Sequence, residues 1–237
     1  MARRLGVDTG GTFTDIVASD GSVLKVLSTP DDPAAAVLAG VERAGRAEVM
    51  AHGTTVATNT LLERRGARVA LYATEGHTDV IEIARQVRPS LYDPFRDRPE
   101  PLVGRDLRID VPGRLDRDGE ELEPLGTLVD VDVDGKIEAA AVVLLHADRN
   151  PAHEQELAGR LRQVGVDVSV SSDVSPEFRE YERTVTTVAN AYLRPACRRY
   201  LLRLVRAADD VLVMTSAGGL VPVAQAADRP VSLLLSG

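Results

Sequence analysis

The segment Asp8-Thr9-Gly10-Gly11-Thr12-Phe13-Thr14-Asp15 concentrates groups that an anion or a metal ion needs. Its glycines let backbone N–H groups converge on an anion without side-chain clash. Thr9, Thr12 and Thr14 add hydroxyl donors. Asp8 offers a carboxylate that can hold Mg2+ directly or through water, and Asp15 can serve a second metal-bound water or orient the loop. The bland alternative is a tight hairpin, with glycines for backbone angles and aspartates for turn hydrogen bonds. No Gly-Lys-Thr/Ser follows, so this is not the P-loop pattern. Lysine occurs only at Lys25 and Lys136. Phosphate charge would therefore meet backbone donors, a metal or arginine.

A second cluster is His52-Gly53-Thr54-Thr55, followed by Asn59. It sits after a predicted strand, where open α/β sheets place ligands. Thr54 and Thr55 can bind a phosphoryl oxygen or polarise a carbonyl. His52 can position a reacting group or exchange a proton near neutral pH; its other reading is structural support. Gly218 and Gly219, in Thr215-Ser216-Ala217-Gly218-Gly219, can admit a ligand close to the backbone. That segment lacks the glycine before serine of a nucleophile elbow. His77, Asp79 and Glu82 are potential metal ligands only if they face one pocket. Arg85 with Gln86 can meet an anion or stay solvated. Arg183, Thr186, Thr187 and Asn190 can offer polar groups at a cleft, but the favoured reading is a packed helix with solvated charges at one end; Cys197 reads as a residue on the hydrophobic side of that helix.

The chain that must position these groups has 237 residues, 44% hydrophobic and 27% charged, enough for one large domain or two small ones. Aromatics make up 3% and tryptophan is absent, so the core is built from Val, Leu, Ile and Ala. A formal charge of -8 and scarce aromatics argue against a general nucleic-acid binder. The single cysteine excludes an internal disulfide. No run approaches the roughly 18 apolar residues of a membrane span, and Asp8 falls too early for a signal peptide. A soluble, cytoplasmic protein is the expectation.

The opening reads as three short antiparallel strands, Leu5 to Val7, Phe13 to Ala18 and Val23 to Leu27, with a hairpin at Asp20-Gly21. A dinucleotide-binding unit would instead put its glycine loop directly before a helix. Pro33 then starts a helix to Ala44. A strand at Val49 to Ala51, a loop at 52–55, a helix at Thr58 to Arg65 and a strand at Arg68 to Ala73 continue an α/β pattern. A short helix is expected over Gly76 to Ala84, an irregular proline-rich excursion over 88–101, and an extended pair over 105–125 turned at Asp118-Gly119. The alternating Asp130 to Asp134 reads as an edge strand or linker. Strands at Glu138 to Leu145, Val166 to Val170, Val211 to Met214 and Val231 to Leu235 flank helices at Pro151 to Val164 and Glu177 to Ala207. Pro195 should kink or divide the second of these. A strand running into Gly237 suggests a truncated chain.

Several segments together resemble the N-terminal part of the hydantoinase A/5-oxoprolinase family, a group related to ATP-dependent ketone carboxylase subunits. They are LGVDTGGTFTDIV at 5–17, HGTTVATNTLLERRGA at 52–67, GHTDVIEIARQVRPSLYD at 76–93, SPEFREYERTVTTVANAYLRP at 175–195, MTSAGGL at 214–220 and PVSLLLSG at 230–237. The resemblance implies an α/β fold: an actin-like ATPase (ribonuclease H-like) N-terminal lobe, its mixed sheet opening with three antiparallel strands, with an inserted subdomain. The segments would be 1–75 for the phosphate-loop part, 76–137 for the insertion and 138–237 for the rest of a lobe cut short at its C-terminus.

It further implies ATP and Mg2+ as cofactors. Asp8 would be a metal ligand and, with His52 and Thr54, a catalytic residue. Thr9, Gly10, Gly11, Thr12, Asp15, Gly53, Thr55, Gly218 and Gly219 would line the cofactor site. The implied activity is ATP-dependent opening of a cyclic amide, of hydantoin or 5-oxoproline type, through a phosphorylated intermediate. The alternatives are a ketone carboxylase subunit, a non-catalytic actin-like interaction module and, less in keeping with 175–195, a sugar kinase. Implied partners are a cyclic amide or ketone substrate, a missing C-terminal lobe and a B-type subunit, with neither nucleic acid nor membrane. The isolated fragment is expected to be inactive.

Overall fold

The computed structural model of the chain describes residues 3–29, 32–87, 89–127 and 137–236. The first elements are β1 (Arg4–Thr9), β2 (Phe13–Ala18), β3 (Val23–Leu27), α1 (Pro33–Ala44), β4 (Ala47–Thr54) and α2 (Val56–Leu62). They are followed by β5 (Val69–Thr74), α3 (Val80–Ile83), β6 (Arg108–Val111), β7 (Arg114–Leu115) and β8 (Glu121–Glu123). Next come β9 (Ala139–Val143), α4 (Ala152–Gln163), β10 (Asp167–Val170), α5 (Ser171–Val174) and α6 (Glu180–Leu204). Last are β11 (Ala208–Thr215), β12 (Gly219–Pro222) and α7 (Val223–Asp228). The chain forms two compact units, residues 1–66 with 193–237 and residues 67–192. Those boundaries differ from the three segments expected from the sequence.

The first unit is built on a mixed sheet in the order β12-β11-β4-β1-β2-β3. β1, β2 and β3 form an antiparallel meander, while β4 runs parallel to β1 and β11 parallel to β4. Period-two alternation buries Leu5, Val7 and Thr9 of β1 and Thr14, Ile16 and Ala18 of β2. Helix α1 covers this face with Ala36, Val37 and Val41. Pro33 starts it and the Asp32 carboxylate accepts from the Ala35 N–H at 3.3 Å. Gly40 lets α1 lie close, since a Cβ there would fall 2.3 Å from Ile16 Cδ1.

The second unit holds a four-stranded, wholly parallel sheet in the order β10-β9-β5-β6. Every position of β5 and β9 is buried, as in a strand covered on both faces. Leu157, Ala158 and Leu161 of α4 pack against Tyr72, Val142 and Val168. Two buried side chains clasp the backbone of Leu144 from both sides in this core. Glu154 accepts from the Leu144 N–H at 2.9 Å, and Arg183 donates to the Leu144 carbonyl at 2.6 Å. The Ser171 hydroxyl and Ser172 N–H also donate to Glu154, at 2.6 and 2.8 Å. Burial pushes the Glu154 carboxyl above its ordinary pKa, and these bonds pull it back.

Several sequence expectations need correction. Val231 to Leu235 is not a strand: Pro230–Leu233 is a 3-10 turn, favoured by the proline, which fixes φ and has no N–H to give a ladder. His52 to Thr54 belong to β4 rather than to a loop. The helix expected over Gly76 to Ala84 contracts to Val80–Ile83. In the 105–125 region, β6 pairs in parallel with β5, and only β7 and β8 form a hairpin. Pro195 lies inside α6 without dividing it. The Asp130 to Asp134 stretch lies outside the described residues. No helix among the described residues is long and apolar enough to cross a membrane.

Candidate functional site

In the first unit β1, β4 and β11 are mutually parallel, so their carboxyl ends meet one edge of the sheet. Open α/β sheets bind ligands at that edge. Three segments leave from it: Gly10–Thr12 after β1, Thr55 after β4 and Ser216–Gly218 after β11. The register sets Gly53, Asp8 and Asp15 side by side on β4, β1 and β2, with Lys25 of β3 beyond them.

The Gly10–Thr12 loop is pinned from behind. The Gly10 N–H donates to the Phe13 carbonyl at 3.0 Å, and the Ser28 N–H to the Thr12 carbonyl at 2.9 Å. The Ser28 hydroxyl donates to the Gly10 carbonyl at 2.9 Å, which leaves Thr14 Oγ1 as donor to Ser28 Oγ at 3.1 Å. The Gly11 and Thr12 amides make no hydrogen bond among the described residues. Neither Gly10 nor Gly11 adopts the positive φ that would require glycine, and a Cβ on Gly11 would meet nothing within 4 Å. The hairpin's backbone angles thus do not explain Gly11.

Asp8 is exposed and its carboxylate makes no hydrogen bond or ion pair among the described residues. Asp15, directly opposite, is held by Lys25 at 3.0 Å. Gly53 leaves room for the free carboxylate, since a Cβ there would stand 3.0 Å from Asp8 Oδ1.

His52 and Thr54 lie beneath this surface. His52 is 0% exposed. Its Nδ1 is 3.2 Å from the Val7 carbonyl and its Nε2 is 2.6 Å from the Tyr200 hydroxyl. A carbonyl only accepts, so Nδ1 carries the proton. Burial lowers the His52 pKa from 6.5 to about 4, so the ring is neutral and Nε2 accepts from Tyr200. Burial likewise pushes the Tyr200 phenol up to about 12, against the Thr54 and Thr9 hydroxyls beside it. Thr9 Oγ1 reaches toward the phenol without a well-formed hydrogen bond. Thr54 Oγ1 also accepts from the Val56 N–H at 3.2 Å. The Thr55 hydroxyl and N–H both approach the Thr9 carbonyl at 3.2 Å, and Asn59 donates to Thr55 Oγ1 at 3.3 Å.

Burial of the neutral His52 ring makes the stability of the fold depend on pH. Between pH 6.5 and about 4 the unfolded chain binds a proton that the folded His52 refuses, so stability falls as pH falls. By about pH 5 the loss should reach roughly 2 kcal/mol. Urea unfolding midpoints at neutral pH and at about pH 5 test this, and His52→Leu should flatten the difference.

The Ser216–Gly218 turn is tied down through the Ser216 N–H and hydroxyl, which donate to the Ser232 carbonyl at 2.8 and 3.0 Å. Gly218 takes φ +78 and needs glycine for the turn, whereas Gly219 does not; both face open space. Other sequence candidates are engaged elsewhere. Asp79 and Glu82 bind Arg108 at 2.9 and 2.7 Å, and Arg85 binds Glu182. A cleft of about 1380 Å3 opens in the second unit beside these residues. Its arginines are already occupied: Arg98 by the Glu82 and Ile83 carbonyls, Arg105 by Glu82, and Arg85 and Arg108 as above. Arg183 and Asn190 are core residues, and buried Cys197 has its thiol pushed up to about 12. Sequence reasoning passed over Tyr200, Ser28 and Lys25. Only the β2–β3 pattern, which puts Lys25 opposite Asp15, carried a signal for any of them.

A mixed sheet that opens with three antiparallel strands and continues in parallel ones defines this fold as the N-terminal lobe of an actin-like ATPase. The crystal structure of ATP-dependent caprolactamase from Pseudomonas jessenii matches it with a TM-score of 0.87 and 34% identity, over 99% of this chain and 38% of that one. A nucleotide-free acetone carboxylase structure matches with a TM-score of 0.81 and 26% identity, over 98% of this chain and 39% of that one. The chain belongs to the hydantoinase/oxoprolinase family: the model of its N-terminal region matches residues 4–165, and the hydantoinase/oxoprolinase model matches residues 183–237. The caprolactamase subunit alpha of P. jessenii is 37% identical over 99% of this chain, which spans 38% of that relative.

Proposed function

We propose that this chain supplies the phosphate-binding part of an ATP-dependent enzyme that opens a cyclic amide. The observation that carries the reading is the pair of unpartnered amides at Gly11 and Thr12 beside the unpaired carboxylate of Asp8, at the carboxyl ends of parallel strands. Glycine at 11 is demanded by neither turn geometry nor packing, which fits close approach of a ligand to the backbone. The donors are hard oxygens and amides, suited to Mg2+ and phosphate. No group of three or more His, Cys, Asp or Glu side chains could hold a metal among the described residues. Mg2+ held by Asp8 would therefore keep water and phosphate ligands, as it usually does.

In this reading the Gly11 and Thr12 N–H groups and the Thr12 hydroxyl bind phosphate oxygens. Asp15 stays with Lys25 and steadies the loop, and Gly219 leaves room for the nucleotide. Thr54 and His52 act from below, by positioning. ATP with Mg2+, when bound, supplies the phosphoryl group that makes an amide carbonyl reactive to water. The cyclic amide is favoured by the 37% identity to a caprolactamase subunit. A ketone substrate is the second reading, favoured by the likeness to acetone carboxylase. The remaining nucleotide contacts and the substrate pocket are assigned to a further lobe and a B-type subunit.

Titration calorimetry of the chain with Mg-ATP tests the reading. Saturable binding at one site is expected, with sub-millimolar to millimolar affinity for a partial site, or about 4–6 kcal/mol. A folded chain that takes up no Mg-ATP would overturn it.

A further inference from the structure

We infer that Tyr200 is a positioning residue for the phosphate loop, its buried hydroxyl holding His52 so that β1 and β4 end in a single arrangement. The inference rests on the nucleotide-site reading above. Connectivity, register and chemistry converge on this hydroxyl.

The first is connectivity. Tyr200 stands on α6 and donates to His52 Nε2 at 2.6 Å, and His52 Nδ1 donates to the Val7 carbonyl at 3.2 Å. A continuous chain of hydrogen bonds thus runs from the helix through β4 to β1, ending one residue before Asp8. The second is register. Val7 pairs with His52, Asp8 with Gly53 and Thr9 with Thr54. The relay therefore acts on the residue pair immediately before the Asp8–Gly53 pair, and its flanking hydroxyls belong to the pair immediately after it. The third is chemistry. His52 and Tyr200 are 0% and 7% exposed, and burying an imidazole and a phenol costs more than burying apolar side chains of similar shape. What polar groups add is direction: once paired, they admit one rotamer set and one spacing of the elements that carry them. The two rings also lie at a tilted angle, with centroids 5.8 Å apart, so packing and hydrogen bond fix the same geometry.

Phosphate binding through two backbone amides needs those amides aimed before the ligand arrives, because a misplacement of about 1 Å can cost up to a hundredfold. Tyr200 touches no ligand in this account. It acts through His52.

The test is calorimetric titration of the 237-residue chain with Mg-ATP, using the wild type, Tyr200→Phe, His52→Leu and, as a control, Val37→Ala. Val37 is a fully buried residue of α1 in the same unit and outside the relay, so its truncation lowers stability without touching these hydrogen bonds. All titrations are run well below each variant's unfolding midpoint. The expected result is affinity reduced about tenfold or more in Tyr200→Phe and His52→Leu, with Val37→Ala binding like the wild type. Nitrogen NMR of His52 should show the Nδ1–H tautomer in both proteins, held by the Val7 carbonyl, with the Nε2 resonance moving to the position of an acceptor without a donor in Tyr200→Phe. Wild-type affinity in a folded Tyr200→Phe overturns the inference, whatever its stability. Equal weakening in Val37→Ala also overturns it, since stability would then be the cause. If Tyr200→Phe does not fold, His52→Leu decides by the same criterion. A wild-type chain that binds no Mg-ATP defeats the nucleotide reading itself, and that outcome is read before any variant is compared.

Discussion

Asp8→Ala should lower Mg-ATP affinity by about a hundredfold, or nearly 3 kcal/mol, and leave the fold as stable as before or slightly more so. The two halves of this expectation have one origin. The Asp8 carboxylate is exposed and makes no hydrogen bond or ion pair among the described residues, so its loss breaks nothing internal. It also stands directly across from Asp15, and like charges in opposed cross-strand positions repel. Lys25 relieves that repulsion from the far side by binding Asp15 at 3.0 Å. Removing Asp8 therefore costs the fold little, whereas the proposed site loses its one uncommitted carboxylate. Titration with Mg-ATP and with ATP in excess chelator separates the causes. If Asp8 acts through the metal, the hundredfold gap should collapse when Mg2+ is withdrawn. A gap that persists without Mg2+ would refute metal binding by Asp8, and no gap under either condition would remove Asp8 from the site. Asp15→Ala should weaken binding less and stability more, because Asp15 is already committed to Lys25.

The sequence reading succeeded where a single local signal decided the outcome. β2 and β3 have the expected bounds because alternation and the Asp20-Gly21 turn specify them together. Helix α1 begins where Pro33 and Asp32 say it should. The reading failed where tertiary pairing overrode local pattern. β4 extends through His52, Gly53 and Thr54 because β1 offers a parallel partner at each of these positions, although the Gly-Thr-Thr run reads as a loop. The apolar run at 231–235 is short enough to serve as a strand or a buried turn, and periodicity alone does not separate the two. β12 and α7 were missed because Gly219 to Asp228 is short and lacks a strong repeat.

The candidate site divides in the same way. Asp8 and the Gly10–Thr12 loop were visible as a contiguous motif. Tyr200 was not, because it lies 148 residues from His52 in sequence and only the fold brings them together. His52 stood out in the sequence as a proton-exchanging side chain. Burial and its two partners make it a neutral, fixed ring, and nothing in a one-dimensional pattern distinguishes that environment from an exposed one.

Arg183→Met should produce the largest loss of stability in the second unit, about 3 kcal/mol. The Arg183 side chain is 1% exposed, and its Nη1 lies 3.2 Å from Asp148 Oδ1 while Nη2 donates to the Leu144 carbonyl. Methionine replaces much of its volume, so the expected cost comes from the partners left behind. The Leu144 carbonyl loses its guanidinium donor, and Asp148, 10% exposed, loses its buried cation. Losing one partner of a buried pair costs about 3–5 kcal/mol. The lower end applies here because Arg149 Nε remains 3.6 Å from the other Asp148 oxygen. Asp148→Asn alone should also destabilise, by leaving the guanidinium without its counter-charge. The double variant should then be more stable than the sum of the two losses predicts, by about 1–2 kcal/mol, as expected for residues in direct contact. Urea unfolding of the four proteins measures this coupling. Additive losses would mean that Arg183 stabilises the unit through the Leu144 carbonyl and its packed stem, and that the ion pair with Asp148 contributes nothing of its own.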